Sequence, residues 1–168
     1  KIDYLKSLHN LSANFIAGNA MNVLKSVNEK YDYVFLNFVL EHIKQDELLD
    51  LLRMLQKTLK IGGKIYVLVP NMENPFNLRL RYMEPTHCNG FTTETIIWAL
   101  YMGGFDEIKC LDPNKYSKEK LERIKNYFSS IEDLFEIRKF HSKYSESIMC
   151  FGEKKLKLEE IEFGPYDY

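Results

Sequence analysis

The chain has 168 residues, of which 45% are hydrophobic and 28% are charged. This length and composition predict one globular domain with a sizeable core and exclude a disordered chain. The formal net charge is −1, and the charges are interspersed, so we expect no nucleic-acid partner. No apolar run approaches the roughly 20 residues of a membrane span, and residues 1–10 lack a signal-peptide pattern. We therefore expect a cytoplasmic protein with no membrane partner.

The three cysteines, Cys88, Cys110 and Cys150, are widely spaced and include no Cys-x-x-Cys pair. No histidine lies near them at zinc-finger spacing. This pattern predicts three reduced, mostly structural cysteines, and it suggests neither a disulfide framework nor a bound metal.

The first third of the chain alternates helical and extended patterns. Residues 2–8 carry a short helical stripe, and residues 14–17 read as a strand. Residues 18–20 close that strand, and a helical turn is expected over residues 21–26. Residues 31–38 form an almost continuous apolar, aromatic and β-branched run. Such a run is typical of a strand covered on both faces.

The next segment predicts a βαβ unit. Residues 45–60 repeat apolar side chains at helical spacing, with acids at the front and lysines at the back, as the helix dipole favours. The glycine pair at positions 62 and 63 is expected to end this helix, and residues 64–70 read as a buried strand. Strand, helix and strand over about forty residues indicate an α/β fold with a parallel sheet.

The remaining elements follow a long irregular stretch at residues 71–90, whose length indicates a functional loop. A helix capped by Thr92 or Thr93 is expected to end near residue 102, before a glycine pair. We predict strands over residues 105–111 and 147–152, with a helix over residues 118–139 between them. The expected organisation is a single domain, residues 1–155, and a C-terminal tail, residues 156–168.

Several motifs occur together in the order of one known family. Residues 31–43 contain an Asp-x-Val strand that leads into Val-Leu-Glu-His, and residues 59–65 read Leu-Lys-Ile-Gly-Gly-Lys-Ile, with Ile61 where Pro is usual. Five short motifs follow: Val69-Pro70-Asn71, Asn74-Pro75-Phe76, Arg79-x-Arg81-Tyr82, Thr86-His87 and Phe91-Thr92. Over residues 14–111 the chain thus resembles class I S-adenosylmethionine-dependent methyltransferases, in particular a bacterial subgroup.

The resemblance implies a Rossmann-like fold, with a mainly parallel sheet and helices on both faces. It also implies S-adenosylmethionine as cofactor and methyl transfer to an oxygen or nitrogen of a small molecule or glycan, with residues 71–92 as a lid on the acceptor side. The alternative is a non-catalytic, methyltransferase-like interaction module. Another nucleotide-binding α/β protein is disfavoured, because the chain has no phosphate-cradling loop.

Two features of the family pattern are missing. The family's first strand and its Gly-x-Gly loop, which lets the backbone approach the cofactor closely, should lie before Lys1. An acidic residue for the ribose hydroxyls is also missing, since Asp3 reads better as a helix residue. Without the first strand, the strand at residues 31–38 would have an unpaired edge, so we expect either a preceding segment or a second copy of the chain to cover it.

The resemblance places the cofactor-binding residues at two positions. Where relatives often carry Gly-Asp-Ala at the adenine, this chain has Gly18, Asn19 and Ala20, and the Asn oxygen can still accept from the adenine amino group. Asn37 and Phe38 end the fourth strand of the family, where open sheets bind ligands. Phe38 could instead be plain core.

His42 is the last predicted cofactor contact, although the pair Glu41-His42 could equally be a capping and packing device. His87, in the long loop, is the candidate catalytic base, because a neutral imidazole can take a proton near pH 7. Its alternative is a solvated loop histidine. The predicted acceptor-binding residues are Asn71, Arg79, Arg81 and Tyr82. Arg79, Arg81 and Tyr82 could fix an anionic or sugar-like acceptor, because a guanidinium fork pairs with a carboxylate or phosphate, or they could equally tie the loop to Glu84 or other acids.

Overall fold

The computed structural model describes residues 16–28, 30–74, 77–111, 122, 126 and 147–163. These residues form a sheet of four strands, in the order β1-β2-β4-β3: β1 (Tyr31–Asn37), β2 (Leu59–Pro70), β3 (Asp106–Leu111) and β4 (Ser147–Glu153). β1 pairs with β2 in parallel, whereas β4 pairs antiparallel with both β2 and β3. Three of the four described strands therefore run in one direction, and the predicted mainly parallel α/β fold is confirmed.

Four α-helices and two 3₁₀ turns lie in the described part of the chain. They are α1 (Ala20–Ser26), α2 (Leu48–Thr58), α3 (Leu78–Met83), α4 (Thr93–Met102) and the turns Leu40–His42 and Leu158–Glu160. α1, α2 and α4 confirm the predicted helices, whereas α3 lies in the stretch that was expected to be irregular. None of the described helices is both long and apolar enough to cross a membrane.

α2 ends earlier than its sequence pattern suggested. The Thr58 hydroxyl donates to the Leu55 carbonyl, and the buried Lys154 ammonium donates to the carbonyls of Gln56 and Leu59 at 2.9 and 3.0 Å. These contacts satisfy carbonyls at the end of the helix, where a cation is also favoured by the dipole. The glycine pair that was expected to stop the helix lies inside β2, where the register with β1 shifts and Gly62 has a φ of 80°.

The core lies on one face of the sheet. Ile65, Val67 and Val69 of β2 are buried against leucines of α2 and against Ile96 and Leu100 of α4. α1 packs against the same cluster through Met21 and Leu24. Within the described residues, these three helices therefore cover the same face.

The opposite face carries a row of aromatic side chains, which we call the aromatic row: Tyr33, Phe35, Tyr66 and Phe151. Phe35 stacks on Tyr66 with ring centroids 4.9 Å apart. The prediction that β1 is covered on both faces is wrong for these residues, because Tyr33 is 58% and Phe35 70% exposed. A continuous apolar run does not distinguish a strand that is covered on both faces from a strand that is covered on one face.

Two of the three cysteines form a disulfide, so the prediction of three reduced cysteines is wrong for that pair. Cys110 of β3 lies opposite Cys150 of β4, with Cα atoms 4.1 Å apart, and their sulfurs are bonded. Antiparallel pairing brings the two together although 40 residues separate them along the chain. Cys88 is free and exposed.

The predictions at residues 2–8 and 118–139 fall outside the described residues, apart from Glu122 and Asn126, which are helical. Half of the strand expected at residues 14–17 also falls outside them, and the prediction is wrong for residues 16 and 17, which belong to no strand. The start of the proposed tail is packed on the domain, because the Gln56 side chain donates to the Leu156 carbonyl at 2.8 Å. The division at residue 155 remains a proposal.

Candidate active site

The carboxyl end of β1 exposes the first two predicted site residues. Asn37 is the last residue of β1, and both it and Phe38 are exposed. Phe38 has a φ of 51°, and its backbone amide donates to the Leu68 carbonyl at 2.9 Å. A bulky residue at positive φ is strained, and such strain is concentrated at functional sites. A cavity of about 200 Å³ adjoins this end of the strand, lined in part by Asn37 and Met149.

Gly18, Asn19 and Ala20 lie at the start of α1 and are all exposed. Asn19 is the N-cap of the helix, since its Oδ1 accepts from the Asn22 amide at 3.2 Å. A carbonyl oxygen has two lone pairs, so this cap leaves one acceptor site for a ligand amino group. The local geometry is therefore compatible with the predicted adenine contact.

The turn after β1 is held by the loop that precedes α4. The Glu41 carbonyl accepts from the backbone amides of Cys88 and Asn89 at 2.6 and 3.0 Å. The Asn89 side chain donates to the Ile43 carbonyl at 2.5 Å. These bonds connect positions more than 40 residues apart in sequence, and they place the side chains of the turn beside those of the loop.

This docking assembles what we call the Glu41–His42–His87 cluster. One potential ligand atom from each of the three side chains lies within 4.8 Å of the others. The rings of His42 and His87 meet edge to face, with centroids 4.8 Å apart. The sequence had associated each histidine with a separate role, and only the tertiary structure brings them into contact.

Thr86 orients the His42 ring. The Thr86 hydroxyl donates to Glu84 Oε1 at 2.8 Å and lies 3.0 Å from Nδ1 of His42. Because the hydroxyl proton is directed to Glu84, we infer that Nδ1 of His42 is the donor to Thr86. In a neutral ring this leaves the lone pair on Nε2. On the other side of the cluster, His87 Nε2 lies 3.6 Å from Glu84 Oε2.

Glu41 is the least expected member of the cluster, because its side chain is buried to 1% exposure. Burial raises the pKa of its carboxyl, whereas its own backbone amide and the rings of His42 and His87 lower it. Within the described part of the chain, Glu41 Oε2 and His87 Nδ1 are buried and have no hydrogen-bond partner. Unsatisfied buried polar atoms of this kind are costly.

The predicted acceptor-binding residues are separated by the structure. Arg81 donates to the carbonyls of His87 and Cys88, so it fixes the loop that carries His87. Tyr82 is 82% exposed, and the Arg79 Nε contacts Met83 Sδ at 2.9 Å on the surface. Asn71 is fully buried, and its Oδ1 accepts from the Glu73 amide.

Sequence reasoning gave Glu41 no role beyond shaping the site or capping a helix. The available signal was an adjacent Glu-His pair after one strand and a further histidine after the next strand. Carboxyl ends of neighbouring parallel strands meet at one edge of a sheet, so residues that follow them can meet. A second cavity, of about 350 Å³, lies nearby between α2 and α4 and includes Asn89, Phe91 and Trp98 in its lining.

Comparisons with known proteins bear on the family and the fold. A family model described as a methyltransferase domain matches residues 3–109. Similar solved structures include an S-adenosylmethionine-dependent methyltransferase from Archaeoglobus fulgidus, with 22% identity and a TM-score of 0.63. The plantazolicin methyltransferase BamL, solved with S-adenosylhomocysteine and a triazolic desmethylPZN analogue, has 16% identity and a TM-score of 0.58. An O-methyltransferase family protein from Burkholderia thailandensis has 13% identity and a TM-score of 0.58.

The matches cover 92%, 92% and 91% of this chain, in that order, and 73%, 64% and 40% of the three proteins. At these identities the structural similarity shows the fold alone. A search of curated proteins found no match. The family model, in contrast, matches well over half of the sequence. The chain therefore belongs to the methyltransferase domain family.

Proposed function

We propose that this domain is an S-adenosylmethionine-dependent methyltransferase that transfers a methyl group to an oxygen or nitrogen of a small molecule or glycan. The observation that carries the proposal is the open carboxyl end of β1, with Asn37 and strained Phe38 exposed, in a chain of this family. Ligands of open α/β sheets bind at this end of the strands. BamL and the Burkholderia protein support a small-molecule acceptor and an oxygen acceptor, respectively, by analogy.

The described residues fit part of the cofactor. Asn19 retains an acceptor for an adenine amino group, and Asn37 and His42 line the strand end where the sugar and methionine parts would lie. When bound, S-adenosylmethionine supplies an electrophilic methyl group on a sulfonium. The 168 residues contain no Gly-x-Gly sequence, so the loop that approaches the methionine part in this family has no counterpart here.

On the acceptor side, His87 is the proposed base. Its ring lies between the ring of His42 and the carboxylate of Glu84, whose Oε2 is 3.6 Å from Nε2 of His87. Arg79 and Tyr82 are the exposed candidates for acceptor contacts, whereas Asn71 and Arg81 would act by shaping the segment at residues 71–92. The cavity lined by Asn89 and Trp98 offers space for a small acceptor.

We also propose that the protein works in the cytoplasm. The balanced charge and the sequence of residues 1–10 support it. The disulfide between Cys110 and Cys150 argues in the other direction, since disulfides are rare in reducing compartments. Counting free thiols by mass spectrometry after alkylation, in protein purified without reductant from cytoplasmic expression, would decide whether one thiol or three are free.

A second candidate function is a non-catalytic interaction module. The observation in its favour is the outer edge of β1, which pairs with no described strand, beside the exposed part of the aromatic row. Unpaired apolar edges tend to recruit other chains. Cofactor binding separates the two candidates.

Calorimetry with S-adenosylmethionine and S-adenosylhomocysteine tests the proposal, on this chain and on the longest natural form of the protein. Asn19→Ser keeps a good N-cap but shortens the side chain, so it should weaken binding by about tenfold and leave the melting temperature unchanged. Asn19→Asp is the matched control, because its carboxylate keeps both the cap and the adenine acceptor.

Binding that falls in Asn19→Ser and survives in Asn19→Asp supports the cofactor site. If only the longest form binds the cofactor, the contacts that the Gly-x-Gly loop makes in this family come from sequence outside these 168 residues. No binding by either form contradicts the enzyme and favours the interaction module.

A further inference from the structure

We propose that the Glu41–His42–His87 cluster binds a divalent transition-metal ion. The donor set consists of two imidazoles and one carboxylate, which is the combination that zinc and iron(II) take in many protein sites that keep a position open. The two histidines come from different segments, a turn after β1 and the loop before α4, so their meeting is a property of the fold.

The distances are compatible with an ion after small side-chain rotations. The ligand atoms lie within 4.8 Å of one another. Neighbouring ligands of a tetrahedral ion at bond lengths of about 2.1 Å are about 3.4 Å apart. The turn and the loop are already joined by bonds from Cys88 and Asn89 to the Glu41 carbonyl, so we expect side-chain rotation to close this gap.

The surroundings of the cluster resemble those that orient metal ligands. His42 donates through Nδ1 to Thr86, which fixes the ring and leaves Nε2 with its lone pair. A histidine that binds a metal almost always makes such a bond through its other nitrogen, and the bond fixes its tautomer. Thr86 in turn donates to Glu84, so a chain of hydrogen bonds connects the ring to a carboxylate.

Two orphaned atoms point to a missing cation. Glu41 is 1% exposed, and its Oε2 is buried without a hydrogen-bond partner among the described residues. Nδ1 of His87 is also buried and has no hydrogen-bond partner among the described residues. One positive ion that is bound by this oxygen, by this ring nitrogen and by Nε2 of His42 would satisfy both orphaned atoms.

Charge and access also favour a cation. Glu84 adds a second carboxylate 3.6 Å from His87, and its side chain is 55% exposed. The guanidinium of Arg81 donates to the backbone carbonyls of His87 and Cys88. The exposed Glu84 and Thr86 leave one side of the cluster open to solvent, so an ion there would keep an open position.

This inference does not depend on methyl transfer, because metal binding is measured without cofactor or acceptor. It does bear on the proposed base. If His87 gives its lone pair to an ion, it cannot also take a proton, and the ion would then be the group that polarises an acceptor hydroxyl.

The test uses Zn²⁺ and Co²⁺ with a Cys88→Ser background, because the exposed Cys88 thiol next to His87 could bind zinc by itself. Zinc stoichiometry is measured by equilibrium dialysis and mass spectrometry, and Co²⁺ binding by its visible absorption. We expect one ion per chain and visible bands typical of four or five ligands.

Single variants then assign the ligands. His42→Asn keeps a nitrogen near Thr86 but removes Nε2, and Glu41→Gln keeps the shape of the buried side chain. Each should weaken zinc binding by at least about tenfold, since each removes one of three protein ligands. Glu47→Gln, an exposed acid outside the cluster, is the control and should bind like the parent.

Zinc that binds far below one ion per chain overturns the proposal, as does zinc that binds to His42→Asn and Glu41→Gln as tightly as to the parent. Circular dichroism and the melting temperature of each variant show whether it is folded. If Glu41→Gln fails to fold, His42→Asn alone carries the test, because its ring lies at the edge of the cluster.

Discussion

At the scale of single residues, two glutamates have raised carboxyl pKa values, the buried Glu41 and the half-buried Glu73. Glu41 belongs to the candidate site, whereas Glu73 has a structural role at the start of α4. Its two oxygens accept from the Thr93 backbone amide at 2.9 Å and from the Thr93 hydroxyl at 3.2 Å. A carboxylate at this end satisfies a free helix amide and is favoured by the dipole.

Glu73 should make stability depend on pH. Burial raises its pKa above the ordinary value of 4.5, and nearby Glu94 adds to this, although bonds from Thr93 lower it. The folded state therefore holds the proton more tightly than the unfolded state. The stability that this contributes is complete below pH 4.5 and is lost as pH rises through the raised pKa.

Glu73→Gln cannot ionise, so it should gain stability relative to the parent as pH rises from 4.5 towards neutrality. Urea unfolding at a series of pH values measures this difference. Glu47→Gln, at an exposed position just before α2, is the control and should track the parent. A Glu73→Gln difference that is flat with pH would contradict the prediction.

At the scale of elements, α2 lies against the C-terminal end of α4 at Gly103. This residue caps α4 with an ordinary φ of −76°, but a Cβ atom added to it would lie 2.8 Å from Cβ of Leu52. Glycine is thus required there by contact between helices rather than by backbone conformation. Gly62 is the opposite case, with a φ of 80° and nothing within 4 Å of an added Cβ.

Gly103→Ala should destabilise the domain by about 1–3 kcal/mol, because the two helices must shift to accept the methyl group. Gly62→Ala should cost about 1–2 kcal/mol from backbone strain alone. Asparagine distinguishes the two, because it adopts a positive φ more readily than alanine does but is larger. In denaturant unfolding, we expect Gly62→Asn to cost less than Gly62→Ala and Gly103→Asn to cost more than Gly103→Ala. The same order of costs at both sites would refute this explanation.

At the scale of the whole molecule, the sheet has one face covered by described helices and one face that carries the aromatic row. Phe35 of that row is 70% exposed on β1, whose outer edge pairs with no described strand. An apolar edge and an apolar face at one corner form a self-complementary surface, which a second copy could cover by symmetry.

We therefore expect the 168-residue chain to form a dimer, with a mass near twice 19.9 kDa in light scattering. Phe35→Lys should shift it to the monomer, because a charge on an edge strand opposes pairing. Leu111→Lys is the matched control, since Leu111 is 53% exposed on β3 at the other edge of the sheet. A monomer at all concentrations, or equal effects of the two variants, would rule out this interface.

The positions of helices and strands could be predicted from the sequence more accurately than the residues that pack against them. The run at residues 31–38 correctly gave a strand, because β-branched and aromatic residues fit a pleated backbone. It did not show which side of that strand is covered, since this depends on the chain that packs against it. In the same way, Gly62 and Gly63 were recognised as a break in the helical pattern. The carbonyl of Gln56 at the end of α2, however, is bound by Lys154, almost a hundred residues later.

By itself, the amino-acid sequence determined the fold class, the family, the four described strands and the helices α1, α2 and α4, because periodicity, caps and linear motifs act over a few neighbouring residues. It also placed Asn37 and Phe38 at a strand end. Only the tertiary structure decided that Glu41, His42 and His87 meet, that Cys110 pairs with Cys150, and that Arg81 holds a loop. Such contacts join distant segments, and sheet order and loop docking fix them, so no local pattern carries them.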